Sequence, residues 1–232
     1  MNKIIKNIIT IILSIIIIIC LIIIIDKNYK YYKSDKTYQD IRLISNDLKD
    51  NILMENKLKE INSEYKFWIN VTTTEIDYPV VQASDNEFYL KNNFNKENDI
   101  GGSIFLDYNN NLEEDKNLIV YGHNMRNGSM FAAINKFKEK DYFDTGVINI
   151  IKDGNNYSYE IFSVFIEKSN EINLKNSFNN QEEFYEYINN VKEKSMYYKD
   201  INNSDISNII TLYTCSYEFD EARTIVCASL TK

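Results

Sequence analysis

A chain of 232 residues, 44% of them hydrophobic, is long enough for one domain with a proper core and too short for two large ones. Its 26 Lys and Arg face 34 Asp and Glu, a formal net charge of −8, so no basic field exists to bind nucleic acid by releasing counterions from phosphates. With 6 Gly, 1 Pro, 18 Tyr and 12 Phe the chain is neither collagen-like nor a disordered polymer, and its scarcest reactive residues are 1 His and 3 Cys.

From Ile8 to Ile25 the sequence is almost unbroken Ile and Leu, interrupted by Thr10, Ser14 and Cys20. As a helix this run spans roughly 27 Å, enough to cross a bilayer. It ends in Ile25-Asp26-Lys27 and not in small residues of the A-x-A kind, so it reads as an uncleaved anchor preceded by a short tail, residues 1–7. Cys20 is then a small apolar residue within lipid. Lys3 and Lys6 precede the span while Lys27, Lys30, Lys33 and Lys36 follow it, and a count of lysines alone would leave the C-terminal body inside.

Residues 26–64 are polar, with Ile41, Ile44, Leu48, Ile52 and Leu58 mostly at helical spacing, which predicts a helical stalk or a helix packed on the following domain. From Tyr65 to the end, residues 65–232, short β-branched and aromatic runs take over. They predict strands over Phe67 to Val71, Ile76 to Gln82, Ile104 to Asp107, Leu118 to Tyr121, Val147 to Lys152, Tyr157 to Ile166, Ile209 to Cys215 and Arg223 to Leu230. Asp153-Gly154-Asn155-Asn156 marks a hairpin, because these residues tolerate the positive φ of a tight turn. Two helices interrupt the strands: Ser129 to about Lys140, with Ser129 as N-cap and Met130, Phe131, Ile134 and Phe137 on one face, and Gln181 to about Tyr198, with Phe184, Ile188 and Val191 on one face. Many short strands with few helices predict a mainly β domain, closed or sandwich-like, with helical insertions.

His123 directly follows the apolar strand Leu118-Ile-Val-Tyr-Gly, where a rigid element can hold it at a rim; a histidine satisfied by local hydrogen bonds is the plain alternative. Cys215 ends the strand Ile209-Ile-Thr-Leu-Tyr-Thr-Cys215, and the loop after it returns into the strand that begins at Arg223. Cys215 and Arg223 should therefore face each other across a hairpin, and a cation beside a thiol favours the thiolate nucleophile. Cys215 as an apolar filler, or in a disulfide with Cys227, are the competing readings, and the expected register opposes the bridge. With no C-x-x-C pair and no H-E-x-x-H helix, metal ligation has no support. One nucleophile, one proton donor and one cation make a minimal set for acyl transfer.

At these residues the chain resembles the sortases, membrane-anchored transpeptidases of Gram-positive bacteria. Thr211-Leu-Tyr-Thr-Cys215 is similar to the family's TLxTC strand, Arg223 to the arginine of its next strand, and Tyr121-Gly-His123 to its histidine motif. Asp85 to Leu90, Gly102 to Asp107, Tyr121 to Met125 running into Gly128 to Phe131, and the helix near Gln181 resemble class B in particular. The resemblance implies an eight-stranded closed β-barrel and a catalytic body on the extracellular face, a placement that overrides the lysine count because long domains translocate despite such charges. It implies that Cys215 cleaves a C-terminal sorting signal after Thr, forming a thioester that an amino group of a peptidoglycan precursor or cross-bridge resolves. His123 would move the protons and Arg223 would bind the signal and its oxyanion. Substrate contacts implied in the same way are Asn86, Leu90, Tyr121 and Thr214, with surface proteins as the partners and no cofactor or metal. Ser216 departs from the pattern where some class B members carry an acidic residue. The residues alone also admit an exported cysteine peptidase that hydrolyses its acyl-enzyme, or a non-catalytic membrane-tethered binding module.

Overall fold

The computed structural model describes residues 3–199 and 201–231. Met1 and Asn2 of the expected tail, and Asp200 and Lys232 of the expected barrel, lie outside the described residues. The apolar run belongs to one long helix, α1 (Lys3–Asp47), whose first part is exposed throughout and is long and apolar enough to be a candidate membrane span. The segment after the run is a direct continuation of α1 and lies on the barrel. Ser34, Tyr38 and Ile41 are buried, and the Tyr38 hydroxyl donates to the Gly102 carbonyl at 2.5 Å. After a short break, α2 (Asn51–Ile61) starts at Asp50, whose carboxylate accepts from the backbone N–H groups of Ile52 and Leu53, and it buries Met54 and Leu58. Of the two alternatives for residues 26–64, the structure has helices packed on the domain.

The remaining elements in chain order are β1 (Tyr65–Val71), β2 (Asp77–Val81), the single turn α3 (Phe88–Lys91), β3 (Ile104–Leu106), β4 (Asn117–Tyr121), a 3-10 segment (Ala132–Lys138), α4 (Lys140–Thr145), β5 (Val147–Lys152), β6 (Asn155–Lys168), α5 (Gln181–Lys194), β7 (Tyr197–Tyr198), a 3-10 turn (Asn203–Asp205), β8 (Ile209–Cys215) and β9 (Ala222–Leu230). The sheet runs β5-β1-β2-β3-β4-β8-β9-β6, and β5 also pairs with β6, which closes these eight strands into a barrel. Closure leaves no long free edge. The ninth strand, β7, is a two-residue rib on Ser163 and Val164 of β6. Two of the contacts are parallel, β2 with β3 and β4 with β8; the second brings together strands that have β5, β6 and β7 between them in the chain.

Strand alternation sorts side chains into two layers. Ile210, Leu212, Val226 and Ala228 point into the barrel, which is filled by Phe67, Ile69, Val80, Val120 and their neighbours. Ile209, Ile225 and Cys227 point outward under α5, where Phe184, Ile188 and Val191 cover them. Cys227 is fully buried there and unbridged, and burial pushes its thiol up to about 12. The expected hairpin is tighter than four residues: Asp153 and Gly154 alone turn, with φ of 50° and 76°, and Asn155 and Asn156 join β6.

Two helical expectations need correction. The helix expected from Ser129 does not begin there, because Met130 has φ of 57° and the Ser129 hydroxyl bonds back to Asn127 at 2.8 Å. A 3-10 segment and then α4 replace it, although Met130, Phe131, Ile134 and Phe137 are all buried as the spacing predicts. The helix expected to reach Tyr198 stops at Lys194, since Ser195 bonds to Val164 of β6 and the chain continues as β7. Asn180 caps its start by accepting from the Glu183 N–H.

Candidate active site

β4, β8 and β9 lie side by side, and each delivers one reactive residue to the same end. Tyr121 of β4 pairs with Tyr213 of β8, so His123 and Cys215 each stand two residues beyond a matched pair on neighbouring parallel strands. On the other flank Cys215 pairs directly with Arg223. The alternation between them is consistent: Gly122, Thr214 and Thr224 are buried, while Tyr121, His123, Tyr213, Cys215 and Arg223 are half-buried on the outer face. The thiol therefore sits between the imidazole's strand and the guanidinium's strand.

Hydrogen bonds join the strand ends beyond the ladder. The Gly122 N–H donates to the Tyr213 carbonyl at 3.2 Å, the Thr214 hydroxyl to the Gly122 carbonyl at 2.7 Å, and the Asn124 amide to the Cys215 carbonyl at 2.8 Å. Thr214 is fully buried and its hydroxyl donates to this link, so its side chain ties the His123 strand to the Cys215 strand. Asn124 clamps the backbone of Cys215, and its one signal in the sequence is its place immediately after His123.

The His123 Nε2 lies 2.7 Å from the Leu90 carbonyl. A carbonyl oxygen only accepts, so Nε2 carries the hydrogen and Nδ1 is left as the nitrogen open for proton exchange. Leu90 reaches the site through its backbone, while its side chain packs against the barrel core. Asn86 donates to the Asp107 carboxylate at 2.8 Å, and the Tyr121 phenol donates to the same oxygen at 3.0 Å. Burial, reinforced by the Asp107 charge, holds the Tyr121 phenol far above its usual range. Asp107 thus organises two of the expected substrate contacts, a part that the sequence around it does not signal.

Arg223 donates to the Ala222 carbonyl at 3.0 Å and forms no ion pair among the described residues. Its cross-strand neighbour Glu167 is taken by Lys194 of α5 instead. The guanidinium consequently keeps donors for another acceptor. Tyr213 beside it is raised by burial, against the pull of the Arg223 cation and with a smaller push from Cys215, which places all three within electrostatic reach. Ser216, the residue after the nucleophile, is buried and bonded to Lys138 at 3.0 Å and to Glu218. Burial alone would raise the Glu218 carboxyl, but hydrogen bonds from Lys138 and Ser216 outweigh it and bring it down to about 2. Beyond Glu167, a cleft of about 310 Å³ separates α5 from the segment that precedes it, lined by Ile172, Leu174, Tyr187 and Lys194 among others.

A thiol flanked by an imidazole and a guanidinium on an eight-stranded barrel defines a cysteine acyl-transfer enzyme. Residues 69–231 match the sortase domain family model. The chain is 39% identical over 165 residues to the sortase B of Listeria monocytogenes, covering 70% of this chain and 67% of that one. Among solved structures, the sortase B of Clostridium perfringens superposes with a TM-score of 0.73 at 43% identity, over 77% of this chain and 100% of the other. A substrate complex of Staphylococcus aureus sortase B gives a TM-score of 0.76 at 26% identity, over 90% and 99% of the two chains. The chain belongs to the sortase family, within class B, and is a sortase B-type cysteine transpeptidase.

Proposed function

We propose that this transpeptidase cleaves a C-terminal sorting signal after Thr and transfers the acyl half to an amino group of a peptidoglycan precursor or cross-bridge. The observation that carries the reading is the position of Cys215 between the His123 and Arg223 strands. Cys215 attacks the Thr carbonyl carbon as a thiolate. The tetrahedral oxyanion draws on the uncommitted donors of Arg223, and its collapse breaks the peptide C–N bond as His123 gives a proton to the leaving amine. The thioester left on Cys215 is attacked by the acceptor amine, which loses a proton to His123; the thiolate departs and an amide remains. Asn86 and Tyr121, held by Asp107, receive the signal beside the imidazole. Leu90 serves through its carbonyl, and Thr214 through the link between strands. The surface proteins that carry such signals are the partners, and α1 tethers the body to the membrane with the barrel on the extracellular side.

Incubating the protein with a sorting-signal peptide and an added amine, then weighing the products, tests this. The expected outcome is an amide-linked product that vanishes in Cys215→Ala. Acid as the sole product at saturating amine would instead identify a peptidase, and an active Cys215→Ala variant would remove the nucleophile from the reading.

A further inference from the structure

A cleft of about 560 Å³ opens where α1 leaves its apolar run, with Ile23, Lys27 and Tyr31 on the helix side and Ile100, Met125 and Arg126 on barrel loops. Its chemistry changes along the helix axis. Ile23 lies inside the candidate span and is 60% exposed, and Lys27 stands one turn further on. One turn is about 5.4 Å, close to the thickness of the headgroup layer outside a hydrocarbon core of about 30 Å. Arg126 has neither a hydrogen bond nor an ion pair among the described residues, and Lys27 meets only the face of Tyr31 at 5.8 Å. The carboxylate within the cleft, Asp26, is already matched by Lys30 at 2.7 Å. Two uncommitted cations thus converge next to an apolar floor at the height where lipid phosphates lie.

We propose that this cleft seats the phosphate-bearing headgroup of an anionic phospholipid from the leaflet around α1. Arg126 and Lys27 hold the phosphate, and Ile23, Ile100 and Met125 lie against the first acyl carbons. A soluble phosphate would satisfy the cations and leave those three apolar side chains in water, which is why the lipid is the better occupant. The proposal rests on reading residues 8–25 as the membrane span. Its consequence reaches the reaction centre, because Asn124 also lines the cleft, follows His123 in the chain and bonds the Cys215 carbonyl. A seated headgroup braces the segment that connects imidazole and thiol.

The test uses the full chain in nanodiscs of phosphatidylcholine, with or without phosphatidylglycerol, and reads backbone hydrogen exchange over residues 123–131. Phosphatidylglycerol is expected to slow exchange there about fivefold, the factor that one cation supplies at an anionic surface. Arg126→Gln and Lys27→Gln should each reverse the protection, whereas Lys36→Gln, an exposed lysine outside the cleft, should keep it. Equal exchange in both lipids, or equal loss in all three variants, would overturn the proposal, the second by showing diffuse attraction. Protection by glycerol phosphate added to phosphatidylcholine discs would also overturn it, in favour of a soluble phosphate. A chain that enters neither disc refutes the span and the proposal together; entry without lipid-dependent protection refutes the proposal alone.

Discussion

His123 is held by Leu90 through a 2.7 Å hydrogen bond to backbone, so the orientation of the imidazole is set by the turn α3 and by whatever positions that turn. Gly102 presses on it from behind. A Cβ at position 102, where φ is 57°, would lie 2.5 Å from the Tyr89 carbonyl oxygen and 2.9 Å from that of Leu90. Gly102→Ala is expected to lower stability by more than the 1–2 kcal/mol or so of the left-handed conformation alone, and to lower kcat as Leu90 shifts. Gly128→Ala is the control: its φ is 85° but nothing lies within 4 Å, so thermal unfolding should register the backbone cost while kcat holds. Equal kcat in both variants would remove the Leu90 carbonyl from the positioning of His123.

Arg223→Lys keeps the charge and loses the planar fork of donors. If the guanidinium binds the oxyanion, kcat for a signal peptide should fall by roughly 10²–10³, as on removal of an oxyanion-hole donor. Steady-state kinetics decide this, and a variant within about threefold of the parent would assign Arg223 a purely electrostatic part.

Asp107→Asn tests the network behind Tyr121. One carboxylate oxygen accepts from Asn86 and Tyr121, and the other accepts from the Asn109 N–H at 2.9 Å. An amide offers only one accepting end, so one set of donors must face an NH₂ group. The expected result is a KM about tenfold higher with a smaller change in kcat, the pattern of lost uniform binding. A pure kcat loss would contradict the role given to Asn86 and Tyr121.

The Glu218 carboxyl, lowered to about 2 in the folded protein, links the loop after Cys215 to pH. Its folded value lies below its unfolded one, so its stabilisation is complete above about pH 4.5 and is lost as the pH falls toward 2. The carboxylate is partly exposed, so solvent screening keeps the effect modest. Lys138→Met should flatten the loss of thermal stability between about pH 4.5 and 2, and a parent-like slope in the variant would remove this pair from the acid response.

Sequence reading identified the Cys215–Arg223 contact because a hairpin is a local relationship: a strand, a short polar loop and a returning strand leave little choice of register. It found the Asp153 turn for the same reason, and misjudged its length only because Asn155 and Asn156 serve equally well in a turn or at a strand start. The parallel pairing of β4 with β8 has no such local signal: the residues suggest that His123 and Cys215 share a set of strand ends, but no local pattern fixes which strands pair. The helix misplaced at Ser129 shows the same boundary. Its apolar spacing was correct and its buried face is real, but the left-handed Met130, whose N–H is held by the Tyr78 hydroxyl at 3.1 Å, is a tertiary outcome that spacing does not contain. The carbonyl of Leu90 and the carboxylate of Asp107 were illegible because backbone acceptors and buried clamps leave no distinctive residue pattern.

The pairing of β4 with β8 joins Tyr121 to Tyr213, positions about 90 residues apart in the chain, and β9 then seals β8 against β6. The nucleophile and its guanidinium neighbour lie on β8 and β9, which follow the other seven strands of the sheet in chain order. A growing chain that has already made His123 therefore carries no assembled reactive thiol. Cys215 gains Arg223 from the local β8–β9 hairpin but gains the His123 strand only when β4 and β8 pair, so the closure that completes the core also times the appearance of the enzyme's chemistry.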